Sequence, residues 1–213
     1  MNVLQLISEW IIVAPFICGL LLFPRLDNES KIIFYVVCIA LIPQLATTFL
    51  KKLDKQTLNV LYNLYTPLEF CLLLLLFYKR IRGNVLFLFI GVLNLAISIY
   101  FFSIKGLSSD VVFQLICINN LIYTFLIFVY LFKQFRRENY LISMSDPYCW
   151  YMVGILLYAP CTFFVFANYL KASSNLNSGK SVLWIIHNIF NILMYVFFTI
   201  GFLKNKKYRI SNL

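Results

Sequence analysis

Seven long apolar runs divide the chain, at about 4–23, 32–50, 57–78, 84–104, 111–132, 148–170 and 181–203, separated by short polar or charged stretches. Each is close to the roughly 20 residues that a helix rising about 1.5 Å per residue needs to cross a hydrocarbon core of about 30 Å. None of them alternates with the period of two that marks a barrel strand, and an open strand would leave its backbone groups unpaired in lipid. The pattern predicts an all-α polytopic membrane protein, a single seven-transmembrane-helix bundle over residues 1–213.

Composition agrees with this and narrows it. Of 213 residues 62% are hydrophobic and 12% charged, where a soluble domain carries about a quarter charged residues. With the charges crowded between the runs, no stretch is left for a soluble catalytic or nucleic-acid-binding domain. The net charge of +10 is expected to orient the protein and to attract anionic head groups, so the bilayer and not nucleic acid is its expected counterpart.

Lysine and arginine are retained on the cytoplasmic side of a membrane protein. One set of alternate connections, with the carboxyl-terminal tail, holds twelve of the 18 Lys and Arg residues, and the other set holds six. The split predicts a cytoplasmic carboxyl terminus and an amino terminus outside, with the bacterial inner membrane as the expected location. The local excess at Lys51, Lys52 and Lys55 runs the other way. Met1–Gln5 lacks a basic signal-peptide region, so the first run is expected to remain as a span. Trp10, Trp150 and Trp184 sit near predicted span starts, where interfacial aromatic anchors belong.

The polar residues inside the runs are fewer and say more, because a charged group at membrane depth is costly. Glu69 is the one carboxylate placed there, about 18 Å into the third run. Tyr62, Tyr65 and Thr66 precede it by seven, four and three residues and share its helical face, and Pro67 removes a backbone hydrogen bond one turn before it. In the seventh run Trp184, His187, Asn188, Asn191 and Tyr195 form a polar stripe. Spans three and seven run in the same direction, which puts Glu69 level with Asn191 and Tyr195 and His187 level with Tyr62 and Tyr65. A layered network is therefore expected in place of a direct Glu69–His187 pair. Asn94, Asn119, Asn120 and Tyr158 are further candidates for the central layer, and Gln44 and Gln114 lie nearer the outer side. The candidate ligand-binding set is Glu69, His187, Asn191, Tyr62, Tyr65, Asn120 and Tyr195. A competing reading makes these residues interhelical hydrogen bonds that hold the bundle together. Pro15, Pro43, Pro67 and Pro160 lie inside four spans, where kinks open cavities.

On the predicted cytoplasmic side, the longest connection (133–146) and the tail present Lys133, Arg136, Arg137, Lys206 and Lys207 as a docking surface for an intracellular partner. Catalytic chemistry is not indicated. One histidine makes no metal cluster, Glu69 has no second carboxylate for an intramembrane dyad, and neither a nucleophile elbow nor a phosphate loop is present. The six cysteines are scattered singly and contain no C-x-x-C pair, so neither a disulfide framework, a metal nor a cofactor is expected.

The segments Tyr62-Asn-Leu-Tyr-Thr-Pro-Leu-Glu-Phe, Trp150-Tyr-Met-Val-Gly-Ile-Leu-Leu-Tyr and Trp184-Ile-Ile-His-Asn-Ile-Phe-Asn-Ile-Leu resemble those of small seven-span membrane proteins of Bacteroidota, some encoded beside sensor kinases. That resemblance implies a sensory or signal-coupling role and no catalytic residue. In size and span content alone the chain also resembles the membrane accessory proteins of RNA-targeting type VI CRISPR systems. Three functions follow as expectations. The first is a non-enzymatic sensor with a small ligand at Glu69 and a cytoplasmic signalling partner. The second is an oligomeric pore-forming or membrane-perturbing accessory in stress or phage defence, and the third a proton-coupled small-molecule carrier.

Overall fold

A computed structural model describes residues 3–49, 54–81, 85–108, 112–135, 144–171 and 177–210, with backbone alone at 48–49, 135, 169–171, 177–181 and 206–210. Among the described residues it is helical without a strand: α1 (Val3–Trp10), α2 (Val13–Leu22), α3 (Asn28–Phe49), α4 (Lys55–Ile81), α5 (Val85–Lys105), α6 (Phe113–Phe135), α7 (Pro147–Lys171) and α8 (Asn177–Ile210). Taking α1 and α2 as one unit, seven spans are long and apolar enough to cross a membrane.

Two boundaries differ from the sequence reading. The first predicted run, 4–23, is two helices meeting at Ile11–Ile12. Pro15 has no N–H to return to the carbonyl of Ile11. The Ala14 N–H turns to that carbonyl instead, at 3.0 Å, tightening the chain at the junction. At the other end α8 does not stop at 203 but continues to Ile210. Its tail contains no glycine or proline, and leaving the apolar layer does not by itself end a helix.

Aspartates start three of the spans. Asp27 Oδ1 accepts from the Ser30 N–H at 2.7 Å, Asp54 Oδ1 from the Thr57 N–H at 3.3 Å and Asp146 Oδ1 from the Tyr148 N–H at 3.0 Å. Each satisfies an amide that the first helical turn leaves without an internal partner, and Pro147 sits where its missing N–H costs nothing. Gly106, at φ +81°, closes α5 in the left-handed conformation that suits glycine, its N–H returning to the Phe102 carbonyl at 2.9 Å.

The helices close a ring in which α8 packs on α1, α2 and α7, α7 on α6, α6 on α4, and α4 on α3, while α3 reaches across to α7 and α8. The α7–α8 contact is the most extensive, because Gly154 admits the α8 backbone: a Cβ there would lie 3.2 Å from the Met194 carbonyl oxygen. Small residues permitting such approaches are a membrane helix's substitute for a hydrophobic driving force. Peripheral α5 leans on α4 and α6 and leaves Val85, Leu88, Phe89, Ile99 and Ile104 mostly exposed. One apolar core built around Ile33, Val37, Phe70, Phe77, Ile127, Tyr151, Ile155 and Phe198 fills the centre.

Candidate functional site

Glu69 stands fifteenth of the 27 residues of α4, so it lies about 20 Å from one end of the helix and about 18 Å from the other. The spacing of four that joins it to Tyr65 becomes a hydrogen bond, the tyrosine hydroxyl donating to Glu69 Oε1 at 2.5 Å. The other neighbours come from three different spans. Tyr123 of α6, Tyr158 of α7 and Tyr195 of α8 line with Glu69 a central cavity whose remaining wall is Val36, Leu73, Ile155, Met194 and Phe198. All four tyrosines lie within electrostatic range of the carboxyl group. The cavity's volume is about 10 Å³, at the lower limit of what a single water molecule needs. Small-molecule pockets, by contrast, run from about 300 Å³ upwards.

One hydroxyl in this ring has no partner. Tyr123 is 3% exposed, its ring stacked on Phe70 at 5.6 Å, and its hydroxyl is buried without a hydrogen bond among the described residues. The sequence reading passed over Tyr123. Its signal was available: it follows Asn119 and Asn120 by four and three residues, on the face those asparagines mark.

The other candidate residues go to different places. His187 is caged by rings, with centroids 5.2 Å from Trp184, 5.4 Å from Phe166 and 5.7 Å from Tyr158, and its Nδ1 is buried without a partner among the described residues. Tyr158 thus stands between His187 and the cavity. Asn191 turns away from Glu69 and donates to the carbonyl (3.2 Å) and the hydroxyl (3.0 Å) of Ser8, fastening α8 to α1. Asn120 donates to the carbonyl of Ile116 at 2.8 Å within its own helix. Tyr62 reaches Thr47 and lies within electrostatic range of Glu9 and of Tyr195. Asn119 and Asn94, 2.6 Å apart, link α6 to α5, and the Asn119 amide also donates to the carbonyl of Thr66 on α4 at 3.4 Å.

A second polar cluster lies where α4 and α6 end and α3 and α7 begin. Arg80 pairs with Asp146, and with Glu29 at 3.4 Å, while its guanidinium lies 4.6 Å from the centre of the Tyr148 ring. Asp146 serves two purposes, Oδ1 capping α7 and Oδ2 meeting Arg80. Asp27 likewise caps α3 with Oδ1 and accepts from Asn205 of α8 at 2.8 Å with Oδ2. Asn205 and Tyr151 converge on the Ser30 hydroxyl at 2.7 and 2.9 Å. Four spans, α3, α4, α7 and α8, are tied together at this end. Of the candidate docking residues, Lys133 donates to the carbonyl of Ile81 at 3.2 Å. Arg136 and Arg137 lie outside the described residues, as do the side chains of Lys206 and Lys207.

At the opposite end Asn63 clamps the connection after α5. It donates to the carbonyl of Leu107 at 3.0 Å and accepts from the N–H of Val112 at 3.1 Å. Asn59 adds a bond to the carbonyl of Ser108 at 3.4 Å. Asp54, outside the span and accepting from the Thr57 hydroxyl and amide, is held below the ordinary carboxylate range by those bonds.

Among the described residues no group of three or more metal-binding side chains comes together. Comparison with protein-family models, curated proteins and solved structures finds no match to this chain. Fold and site therefore define its class directly: a bundle of seven membrane-length helices around one central carboxyl group ringed by tyrosines.

Proposed function

We propose that this chain is a non-enzymatic membrane sensor or signal-coupling protein in which Glu69 is the responsive group and the Arg80 cluster is the output. The observation that carries the reading is the central carboxyl group shared by four helices, α4 directly and α6, α7 and α8 through their tyrosines. A change of charge at Glu69 alters the energy of every one of those contacts, and a stimulus shifts a conformational equilibrium only by such differential interactions. The size of the cavity argues for a stimulus of atomic dimensions in place of a metabolite. Glu69 and Arg80 are eleven residues apart, within about 20° of three full turns and about 16 Å along α4, so one face of one helix bears both. In this reading the Arg80 end faces the cytoplasm, as the distribution of Lys and Arg indicates, and the 133–146 connection with the tail meets the partner there.

Hydrogen–deuterium exchange on the protein in lipid nanodiscs, wild type against Glu69→Gln, tests the coupling. Altered protection at residues 26–31 and 144–150 is the expected result. Unchanged exchange there, with the variant folded, would mean that Glu69 has no influence on the Arg80 end and would end the sensor reading.

A further inference from the structure

The connection between α2 and α3 separates its own charges. Arg25-Leu-Asp-Asn-Glu-Ser-Lys31 contains two basic and two acidic residues. Both acids are engaged within the bundle: Asp27 accepts from the Ser30 N–H and from Asn205, and Glu29 meets Arg80. Among the described residues neither carboxylate pairs with Arg25 or Lys31. Phe23–Arg25 is a single turn of 3-10 helix, and it brings the two cations to one place. Arg25 ends the turn and is exposed, while Lys31 leans back over the ring of Phe23, its Nζ 5.5 Å from the ring centre. A segment that is neutral in sequence therefore presents its positive charge outwards.

That surface continues into the apolar layer. Phe23 meets Tyr35 edge-on at 6.1 Å. Tyr35 and Ile42 follow Lys31 on α3 by four and eleven residues, which keeps all three on one face. Tyr35 is 46% exposed and Ile42 57%, and the Tyr35 hydroxyl makes no hydrogen bond among the described residues. It stands one turn, about 6 Å along α3, deeper than Lys31. On α2, Leu20 lies one turn inside Phe23 and is 55% exposed. A ligand matching this order has an anionic group level with Arg25 and Lys31, a hydrogen-bond acceptor one turn deeper, and apolar chains beyond. A phospholipid contains those parts in that sequence: phosphate, ester carbonyls, acyl chains. A soluble phosphate or an acidic peptide would leave Tyr35, Leu20 and Ile42 without a counterpart.

We propose that Arg25 and Lys31, with Tyr35 one turn below them, form a binding site for one anionic phospholipid in the leaflet at the Arg80 end of the bundle. The two cations take the phosphate, the arginine through its planar fork of donors, and the Tyr35 hydroxyl donates to an ester carbonyl. Preference for an anionic headgroup over a zwitterionic one follows from the charge of the site, because choline brings a third cation to a place that already holds two. Every basic residue near a membrane surface attracts anionic lipid to some degree; here the attraction is tied to named side chains at two depths and to one lipid molecule. No residue of the Glu69 cluster takes part.

Native mass spectrometry of the full chain, released from micelles that contain phosphatidylglycerol and phosphatidylcholine in equal amounts, counts the lipids that stay bound. One phosphatidylglycerol retained in preference to phosphatidylcholine is the expected result. Arg25→Gln and Lys31→Gln should each lower that preference about fivefold, the equivalent of one cation at the membrane surface. Tyr35→Phe should weaken both lipids about fivefold, the equivalent of one hydrogen bond, and leave the preference between them unchanged. Lys105→Gln, which removes a cation from the far end of α5, should change neither quantity. Equal losses from Lys105→Gln and Lys31→Gln would reduce the site to general attraction and overturn the proposal. So would an unchanged preference in the Arg25→Gln, Lys31→Gln double variant. Calorimetric binding of inorganic phosphate to the lipid-free protein, abolished by Lys31→Gln, would make a free anion the ligand and overturn it as well. Tyr35→Phe alters no charge, so its equal effect on the two lipids decides the matter even if the charge variants do not fold.

Discussion

Replacing Arg80 by methionine keeps an unbranched side chain against the Tyr148 ring and removes only the charge and its hydrogen bonds. Asp146 and Glu29 are then left facing one another's field without a cation, at a site where the paired side chains are only 25–27% exposed. Fully exposed pairs contribute about 0–1 kcal/mol and breaking a fully buried pair costs about 3–5 kcal/mol. A site one-quarter exposed lies between, and a loss of roughly 2–3 kcal/mol follows, a 30- to 150-fold change in the folding equilibrium. The assay is unfolding of the purified protein in mixed micelles titrated with denaturing detergent, followed by circular dichroism. Asp146→Asn retains the side-chain oxygen that caps α7 while removing the charge, so Arg80→Met, Asp146→Asn and their combination form a double-mutant cycle with an expected coupling of about 1–2 kcal/mol. Glu29→Gln added to Arg80→Met should restore stability, because it removes a carboxylate that has lost its partner. Additivity within about 0.5 kcal/mol, or further loss on adding Glu29→Gln, would refute the argument that Arg80 holds α3, α4 and α7 together by charge.

Two further predictions concern the ends and the packing. Asp54 is depressed below its ordinary value of 3.8 by the Thr57 hydrogen bonds. Its contribution is therefore complete above that value and is lost as the pH falls through its lowered folded value; a stability difference between wild type and Asp54→Asn that persists undiminished below this window would contradict the assignment. Gly201→Ala places a methyl group on the Tyr151 ring, which is wholly buried, pinned by its hydroxyl to Ser30 and flanked by Phe198 and Phe202. Overpacking of about 1–3 kcal/mol is expected in the same micelle titration, and an unchanged midpoint would show that Tyr151 moves freely.

The parts of this fold legible in the sequence are those set by one-dimensional quantities. Span length and apolar content gave seven segments, and the i, i+4 rule placed the Tyr65 hydroxyl on Glu69. Depth along the helices put Tyr195 at the level of Glu69. Depth does not give rotation, and Asn191, one turn before Tyr195, faces Ser8 of α1. The Arg80–Asp146 pair joins residues 66 apart, and no local spacing rule reaches that far. Asp27, Glu29 and Asp146 read as loop charges because they lie between apolar runs, yet Asp27 and Asp146 cap the helices that follow and Glu29, in the first turn of α3, meets Arg80 of α4. Tyr123 was overlooked for a different reason: a tyrosine in an apolar span has a large hydrophobic body, and only its neighbours decide whether the hydroxyl matters.

The placement of charge explains why both clusters fall on α4. A carboxyl group in mid-span is tolerable where other helices surround it with hydroxyls, and an arginine is tolerable at a helix end where carboxylates from neighbouring helices meet it. The face of α4 that bears Glu69 therefore has to point into the ring of helices, and three turns later the same face brings Arg80 to the first turns of α3 and α7. Leu73, Leu76 and Phe77 lie between them and are buried, so the two polar sites are joined by packed side chains along one helix. Pro67, half a turn before Glu69, removes the backbone bond to the Asn63 carbonyl and is the point at which that helix bends at least cost. A rotation or bend of α4 at Pro67 would move Glu69 against the tyrosines and Arg80 against Asp146 together, and this is the coupling that the exchange measurement on Glu69→Gln tests.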